Sequence, residues 1–232
     1  MTTKETLKRY YHYTPATFSL VAFMVALYVI TAVDAMSLNN NMDSWIGVHW
    51  GTYPRVMGEL PFGPLRGLGG IVLHSGITHL LFNCFMLYLL GQDLERALSS
   101  RMMYELFFVG GLGASAFIVF LAPDAFTVGA SGAIFALMVV LLALRYRMGG
   151  DYRGVLTLIA INVVWTFIGS GVSIWGHLGG LVTGAVLSLV LMKAKNARAA
   201  EIGFLGVGVV AVVAIVVGSM AQTAQLGIAG WG

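Results

Sequence analysis

Charge is what this chain has least of. Asp, Glu, Lys and Arg make up 10% of its 232 residues, while 58% are hydrophobic. An ordinary soluble domain carries about a quarter charged residues. So much apolar surface cannot be buried in one soluble core of this size, which leaves an integral membrane protein as the class. Cysteine is almost missing. Cys84 stands alone, which excludes an internal disulfide framework and a multi-cysteine metal site. The net charge of +3 comes from basic residues spread through short loops. They form no patch, so they exclude a nucleic-acid partner and act instead as topology signals. There is no low-complexity tract and no clear repeat. The first apolar run lacks a small-residue cleavage site and is long enough to span, so it reads as a first helix rather than a signal peptide.

What is present is a series of apolar runs. A helix needs about 20 apolar residues to cross the hydrocarbon core. Seven runs qualify, at 17–36, 72–92, 102–121, 127–146, 154–171, 173–192 and 203–221. The fifth is short and contains Asn162. Of the 13 Lys and Arg, only Arg55 and Arg66 fall between the first and second runs; all the others fall on the opposite side. The positive-inside rule then places the N-terminus in the cytoplasm and the C-terminus outside. The second, fourth and sixth spans run inward from the outer face. Ser131 and His177 each lie about five residues into their spans, roughly 7–8 Å below the outer edge at 1.5 Å per residue.

These two residues are the first candidates for chemistry. Ser131 sits in Val-Gly-Ala-Ser-Gly-Ala-Ile-Phe-Ala (128–136), and His177 in Trp-Gly-His-Leu-Gly-Gly (175–180). The second span adds His74, His79 and Asn83, the last two four apart and so on one helix face. Polar groups inside a membrane are costly unless they face a partner, water or the bundle interior. Gly176, Gly180 and Gly184 recur every four residues, a spacing that lets two helices approach closely. Gly129, Gly132, Ala133 and Ala136 offer a matching surface. Contact between the two would bring Ser131 within reach of His177, as a nucleophile and its base require. Each feature has a plainer reading. Serine beside glycine serves packing, a lone intramembrane histidine serves as a proton relay or interhelical donor, and three histidines suggest metal. No carboxylate or cysteine joins them at ligand spacing, so no metal or cofactor is expected.

Taken in order, these motifs resemble the rhomboid family of intramembrane serine proteases over residues 64–190. Gly-Ala-Ser-Gly (129–132) resembles the family's nucleophile motif. His177 with Gly180 and Gly184 resembles its histidine helix. His79 with Asn83 resembles its oxyanion motif, and His74 and Glu95-Arg96 match further positions. The resemblance implies an all-α, polytopic membrane helix bundle. A six-helix core would span 17–192, with an outer loop at 37–71. A cytoplasmic segment (1–16) would precede it, and 193–232 would add a cytoplasmic loop, a seventh transmembrane helix and a short outer tail. It implies a Ser131–His177 dyad, with the Ser131 amide, His79 and Asn83 receiving oxyanion charge. Gly129, Gly132, Phe135, Gly180, Gly184 and His74 would support them. Two positions depart from the pattern. Phe135 stands where the family often has Tyr, keeping the ring for stacking on histidine. Pro64-Leu65-Arg66 replaces a frequent Trp-Arg.

The implied reaction is endopeptidase cleavage of single-span or multi-span membrane proteins near the outer face. Substrate would enter between the second and fifth spans, where Trp165 and Phe167 are either gate residues or lipid-facing aromatics. The outer acids Asp34, Asp43, Glu59 and Asp124 all lie away from the His177 motif, so packing alone is expected to orient the imidazole. Two other classes of function remain. A pseudoprotease that only binds transmembrane helices would lack the serine or histidine. A transporter or proton channel would need ionisable groups through the full depth, and the inner halves offer little beyond Glu105. The lipid bilayer is the remaining partner, in the cell membrane of what reads as a prokaryote; the oligomeric state is left open.

Overall fold

Proline fits the first turn of a helix, where its missing N–H is no loss, and Pro15 opens the first helix of the computed structural model, α1 (Pro15–Asp34). The structure describes residues 14–60, 62–169 and 171–225. The basic segment carrying Lys4, Lys8 and Arg9, and the outer tail after 225, lie outside the described residues. After α1 come α2 (Trp45–Trp50), α3 (Pro54–Met57), α4 (Arg66–Val72) and α5 (Ile77–Ala97). Then follow α6 (Ser100–Leu121), α7 (Ser131–Arg147), α8 (Arg153–Ile168), α9 (Ile174–Lys193) and α10 (Ala197–Gln225).

The free amides at the start of α1 find their acceptor far along the chain. Glu95, in the last turn of α5, accepts from Ala16 N at 2.7 Å, Thr17 N at 2.8 Å and the Thr17 hydroxyl at 2.7 Å. The carboxylate is buried. It satisfies donors that no helix can satisfy internally, and it places negative charge at the positive end of the helix dipole.

The long loop between the first and second expected spans, the expected outer loop, is folded. Its α2 ends on the carbonyls of Val48 and Gly51, and both accept from the buried Arg66 guanidinium at 2.7 Å. Arg66 thus holds the loop although its neighbour is Leu65. The second expected span, 72–92, starts later than expected, because its helix α5 begins only at Ile77. α4 and α5 meet at 77° across the break at residues 73–76. Gly76 takes φ +79° there, and Asn41 bonds both His74 O (2.8 Å) and Gly76 N (2.9 Å), replacing lost helix partners. Val72 and Leu73 are apolar, so a hydropathy count starts the span before the bend.

Among the described residues four helices, α1, α6, α9 and α10, are long and apolar enough to cross a membrane, or five if the bent pair α4–α5 counts as one span. By length and composition the chain is an all-helical polytopic membrane protein with four to five candidate spans. The expected fourth and fifth spans are shorter, 17 residues in α7 and 16 in α8. Phe23 and Ile30 on α1, and Val209 and Val210 on α10, face outward and give the bundle an apolar exterior.

The middle of the bundle is α7, whose Ala133, Ile134, Phe135, Leu137, Met138 and Val140 are buried. It packs most extensively against α9. At this crossing the backbones touch. A Cβ on Gly180 would overlap the carbonyl oxygen of Gly132, and one on Gly184 would stand 2.7 Å from Ala136 Cα. Neither obstacle can swing aside, because both are backbone. The glycine spacing in the sequence therefore corresponds to a real close approach.

Two of these contacts can each be tested against a control substitution. Gly180→Ala should lower the thermal midpoint in detergent, with overpacking costing about 1–3 kcal/mol. Gly206→Ala on α10, where a Cβ meets nothing within 4 Å, should leave the midpoint unchanged or raise it. Glu95→Ala should cost roughly 1–3 kcal/mol through unmatched buried donors. Asp93→Ala, which removes only the half-exposed Asp93–Arg145 pair, should cost about 0–1 kcal/mol.

Candidate active site

Residues 122–130, between α6 and α7, are held by the outer loop. Thr52 and Thr127 form an antiparallel bridge, with N–H to carbonyl distances of 3.1 and 2.8 Å. Arg55 N donates to Pro123 O at 3.3 Å, and Gly129 N to Gly70 O at 2.8 Å. The Arg55 guanidinium pairs with Asp124 and holds its carboxyl below the usual range. Gly129 takes φ +127°, and a Cβ there would sit 2.6 Å from the His79 ring. Only glycine fits both the dihedral and the space.

The chain then enters α7, with Ser131 as its first residue. The sequence placed Ser131 a turn inside a helix beginning at 127. The helix begins later because Thr127 is committed to its bridge and Gly129 to its turn. This changes the chemistry at Ser131. The first intrahelical bond runs from Ile134 N to Ala130 O. The amides of Ser131, Gly132 and Ala133 come before it and have no helix partner. They form the positive end of α7.

His177 lies in the first turn of α9, whose start is capped by Ser173 accepting from Gly176 N at 3.1 Å. Phe135, one turn along α7 from Ser131, lies against the imidazole with ring centroids 4.3 Å apart and planes tilted by 31°. Packing is not the only constraint on the ring, contrary to the sequence expectation. Thr166 Oγ1 of α8 is 2.7 Å from His177 Nδ1. Ser131 and His177 line one cavity, but no hydrogen bond joins them. Such bonds are often long in substrate-free sites and tighten around substrate.

The second span contributes the facing wall. His79 is in the first turn of α5, and Asn83 follows one turn later, buried. Asn83 Nδ2 donates to His79 O at 2.9 Å, while its buried Oδ1 has no partner. His74, in the bend, is 1% exposed and meets the His79 ring edge-on at 5.2 Å. Its Nδ1 is 3.2 Å from Val72 O, and Nε2 accepts from Ala130 N at 3.4 Å. The two bonds are consistent with one tautomer, protonated at Nδ1. His74 thus ties the bend to the residue preceding Ser131.

Ser131, His177, His79 and Asn83 all border a cavity of about 1580 Å³, as do Gly129, Gly132 and Phe135. Gly180 and Gly184 lie behind it at the helix crossing. No Asp, Glu, Lys or Arg is among the described residues lining it. Its walls include Phe82 and Phe85 of α5 and Ile161 and Trp165 of α8. Trp165 borders the cavity, whereas Phe167 does not and is 68% exposed. The sequence reading missed Thr166 and Asn41. A signal existed for Thr166, because Asn162 and Thr166 are four apart in an apolar helix and so share a face.

Known proteins give this geometry its context. Residues 65–194 match the rhomboid domain family, which is more than half of the chain and covers α4 to α9. The Bacillus subtilis protein YdcA is 35% identical over 134 residues, 55% of this chain and 67% of its own length. The rhomboid protease GluP of Bacillus subtilis is 37% identical over 140 residues, 56% of this chain but 27% of its own length. The rhomboid protease AarA of Providencia stuartii is 26% identical over 204 residues, covering 75% of this chain and 71% of its own. The chain belongs to the rhomboid family.

Proposed function

We propose that this protein is an intramembrane serine endopeptidase acting through Ser131 and His177. One observation carries the reading: a serine at the open N-terminal end of α7 and a histidine in the first turn of α9 share a single cavity without charged walls. The nearby Gly132–Gly180 contact brings their helices together. A serine placed for packing alone has no need of a cavity, and a charge-free cavity does not serve a proton channel.

In this mechanism His177 Nε2 takes the proton from Ser131 Oγ as the oxygen attacks a substrate carbonyl carbon. A tetrahedral intermediate forms with its charge on the former carbonyl oxygen. The imidazolium then gives its proton to the departing amine nitrogen, the C–N bond breaks, and an ester remains on Ser131. Water, deprotonated by His177, attacks the ester; as the C–O bond breaks the imidazolium returns that proton to Ser131 Oγ, and the acid product leaves. The oxyanion is met by the Ser131 amide, by His79 and by the Asn83 amide nitrogen. That nitrogen has two N–H groups, one of which is engaged by His79 O.

All seven long helices cross the membrane on this reading, including the short α7 and α8. The 17–192 segment is the core, the basic loops face the cytoplasm, and Ser131 opens toward the outer face of the cell membrane. Substrates are membrane proteins whose transmembrane helix unwinds locally. They approach between α5 and α8, past Phe82, Phe85 and Trp165. The apolar lining suits a transmembrane segment, and the absence of charge disfavours acidic or basic side chains at the cut.

Purified protein in detergent with a tagged single-span reporter tests this. Ser131→Ala and His177→Ala should each lower the cleavage rate by about 10⁴-fold or more. Asn83→Ala should lower kcat about 10²–10³-fold, the usual effect of losing one oxyanion donor. Cleavage by Ser131→Ala at the wild-type rate would refute the assignment.

A further inference from the structure

We propose that Thr166 is the positioning residue of this site, holding His177 in the one neutral tautomer that can act as a base. The inference rests on the Ser131–His177 reading above. It starts from the directionality of a hydroxyl, which has one proton to give and two lone pairs to offer.

Thr166 Oγ1 has two partners. Asn162 O lies at 2.8 Å and His177 Nδ1 at 2.7 Å. A carbonyl can only accept, so the single hydroxyl proton goes to Asn162 O. Toward His177 the oxygen then presents a lone pair, and Nδ1 must carry the N–H. In a neutral imidazole that leaves Nε2 unprotonated, on the ring edge away from Thr166. The catalytic step requires that bare nitrogen. The opposite tautomer, with the proton on Nε2, would be inert as a base.

The geometry favours this direction. The carbonyl that takes the proton is backbone four residues earlier in α8, so no side-chain motion removes it. Bonding to that carbonyl also fixes the threonine rotamer, as is common for Thr in helices. Asn162 does not compete for the hydroxyl, because its own amide donates to Leu158 O at 2.8 Å. Thr166 is 6% exposed and does not border the cavity, so water has little access to the bond. Phe135 fixes the face of the ring, and Thr166 fixes which nitrogen points where. The hydroxyl keeps its lone pair toward Nδ1–H when the imidazole becomes charged, so one bond serves both protonation states. It lies in the last turn of α8, where the negative end of the helix dipole favours a cation. A neutral hydroxyl thus does in an uncharged site what a carboxylate does in a triad.

The test uses the full chain in detergent with a single-span reporter. Thr166→Val keeps the shape and removes the acceptor. It should lower kcat about 10- to 100-fold, the scale seen when an orienting partner is lost, with KM unchanged. Thr166→Ser, which restores the hydroxyl, should recover most of that loss. Nitrogen-15 NMR of histidine-labelled protein, with the His177 signals assigned by their absence in His177→Ala, should show Nδ1 protonated and Nε2 bare. A proton on Nε2 in the wild type overturns the proposal whether or not any variant folds. So does wild-type kcat in Thr166→Val, or equal losses in Thr166→Ser and Thr166→Val. If Ser131→Ala is inactive and Thr166→Val is not, only this inference fails; if Ser131→Ala cleaves, the parent reading fails.

Discussion

The backbone contact between Gly132 and Gly180 is the constraint on which the rest of the molecule depends. Any side chain at Gly180 would overlap the Gly132 carbonyl oxygen. At that distance α7 and α9 are in backbone contact, and Ser131, directly before Gly132, and His177, one turn before Gly180, open onto one cavity. The contact also lets Phe135 lie against the imidazole. Its cost is that no bulk remains at the crossing to hold the helices apart. The surrounding helices and the outer loop therefore supply the order. Glu95 ties α1 to α5, and Arg66 closes the outer loop. The Thr52–Thr127 bridge and Gly129 shape the approach to Ser131.

The cavity has no formally charged side chain among its described lining residues. The proposed reaction separates charge, an imidazolium on one side and an oxyanion on the other. Fixed dipoles match both. In the proposed mechanism the free amides of α7 receive the oxyanion, and the C-terminal end of α8 stands beside the imidazole through Thr166. His177 is also in the first turn of its own helix, whose positive end opposes a charged ring. The α8 end and the Thr166 oxygen act against that effect. A carboxylate in this position would need its own compensation in an apolar surrounding, whereas a hydroxyl needs none.

How much of this was legible in the sequence follows from what hydropathy measures. Polar residues in a membrane need a reason, so Ser131, His177, His79 and Asn83 stood out from their surroundings. The glycines at 180 and 184 stood out by their spacing. What stayed hidden was backbone direction inside apolar sequence. The bend at 73–76 and the late start of α7 both lie in runs that a hydropathy count treats as continuous. Each is set by a distant partner, Asn41 for the bend and Thr52 for the extended segment. Thr166 was hidden for another reason. The Asn162–Thr166 spacing marks a polar face on α8, but a threonine in an apolar helix satisfies itself on its own backbone, so its role shows only when a second helix brings an imidazole to its free side.

The central claim is that Ser131 is a nucleophile activated by His177. Its most direct measurement is covalent labelling by a fluorophosphonate, followed by mass mapping of the modified peptide. The account predicts one adduct, on Ser131, formed in the wild type and lost in His177→Ala. An adduct on another residue, no adduct, or undiminished labelling of Ser131 in His177→Ala would contradict it.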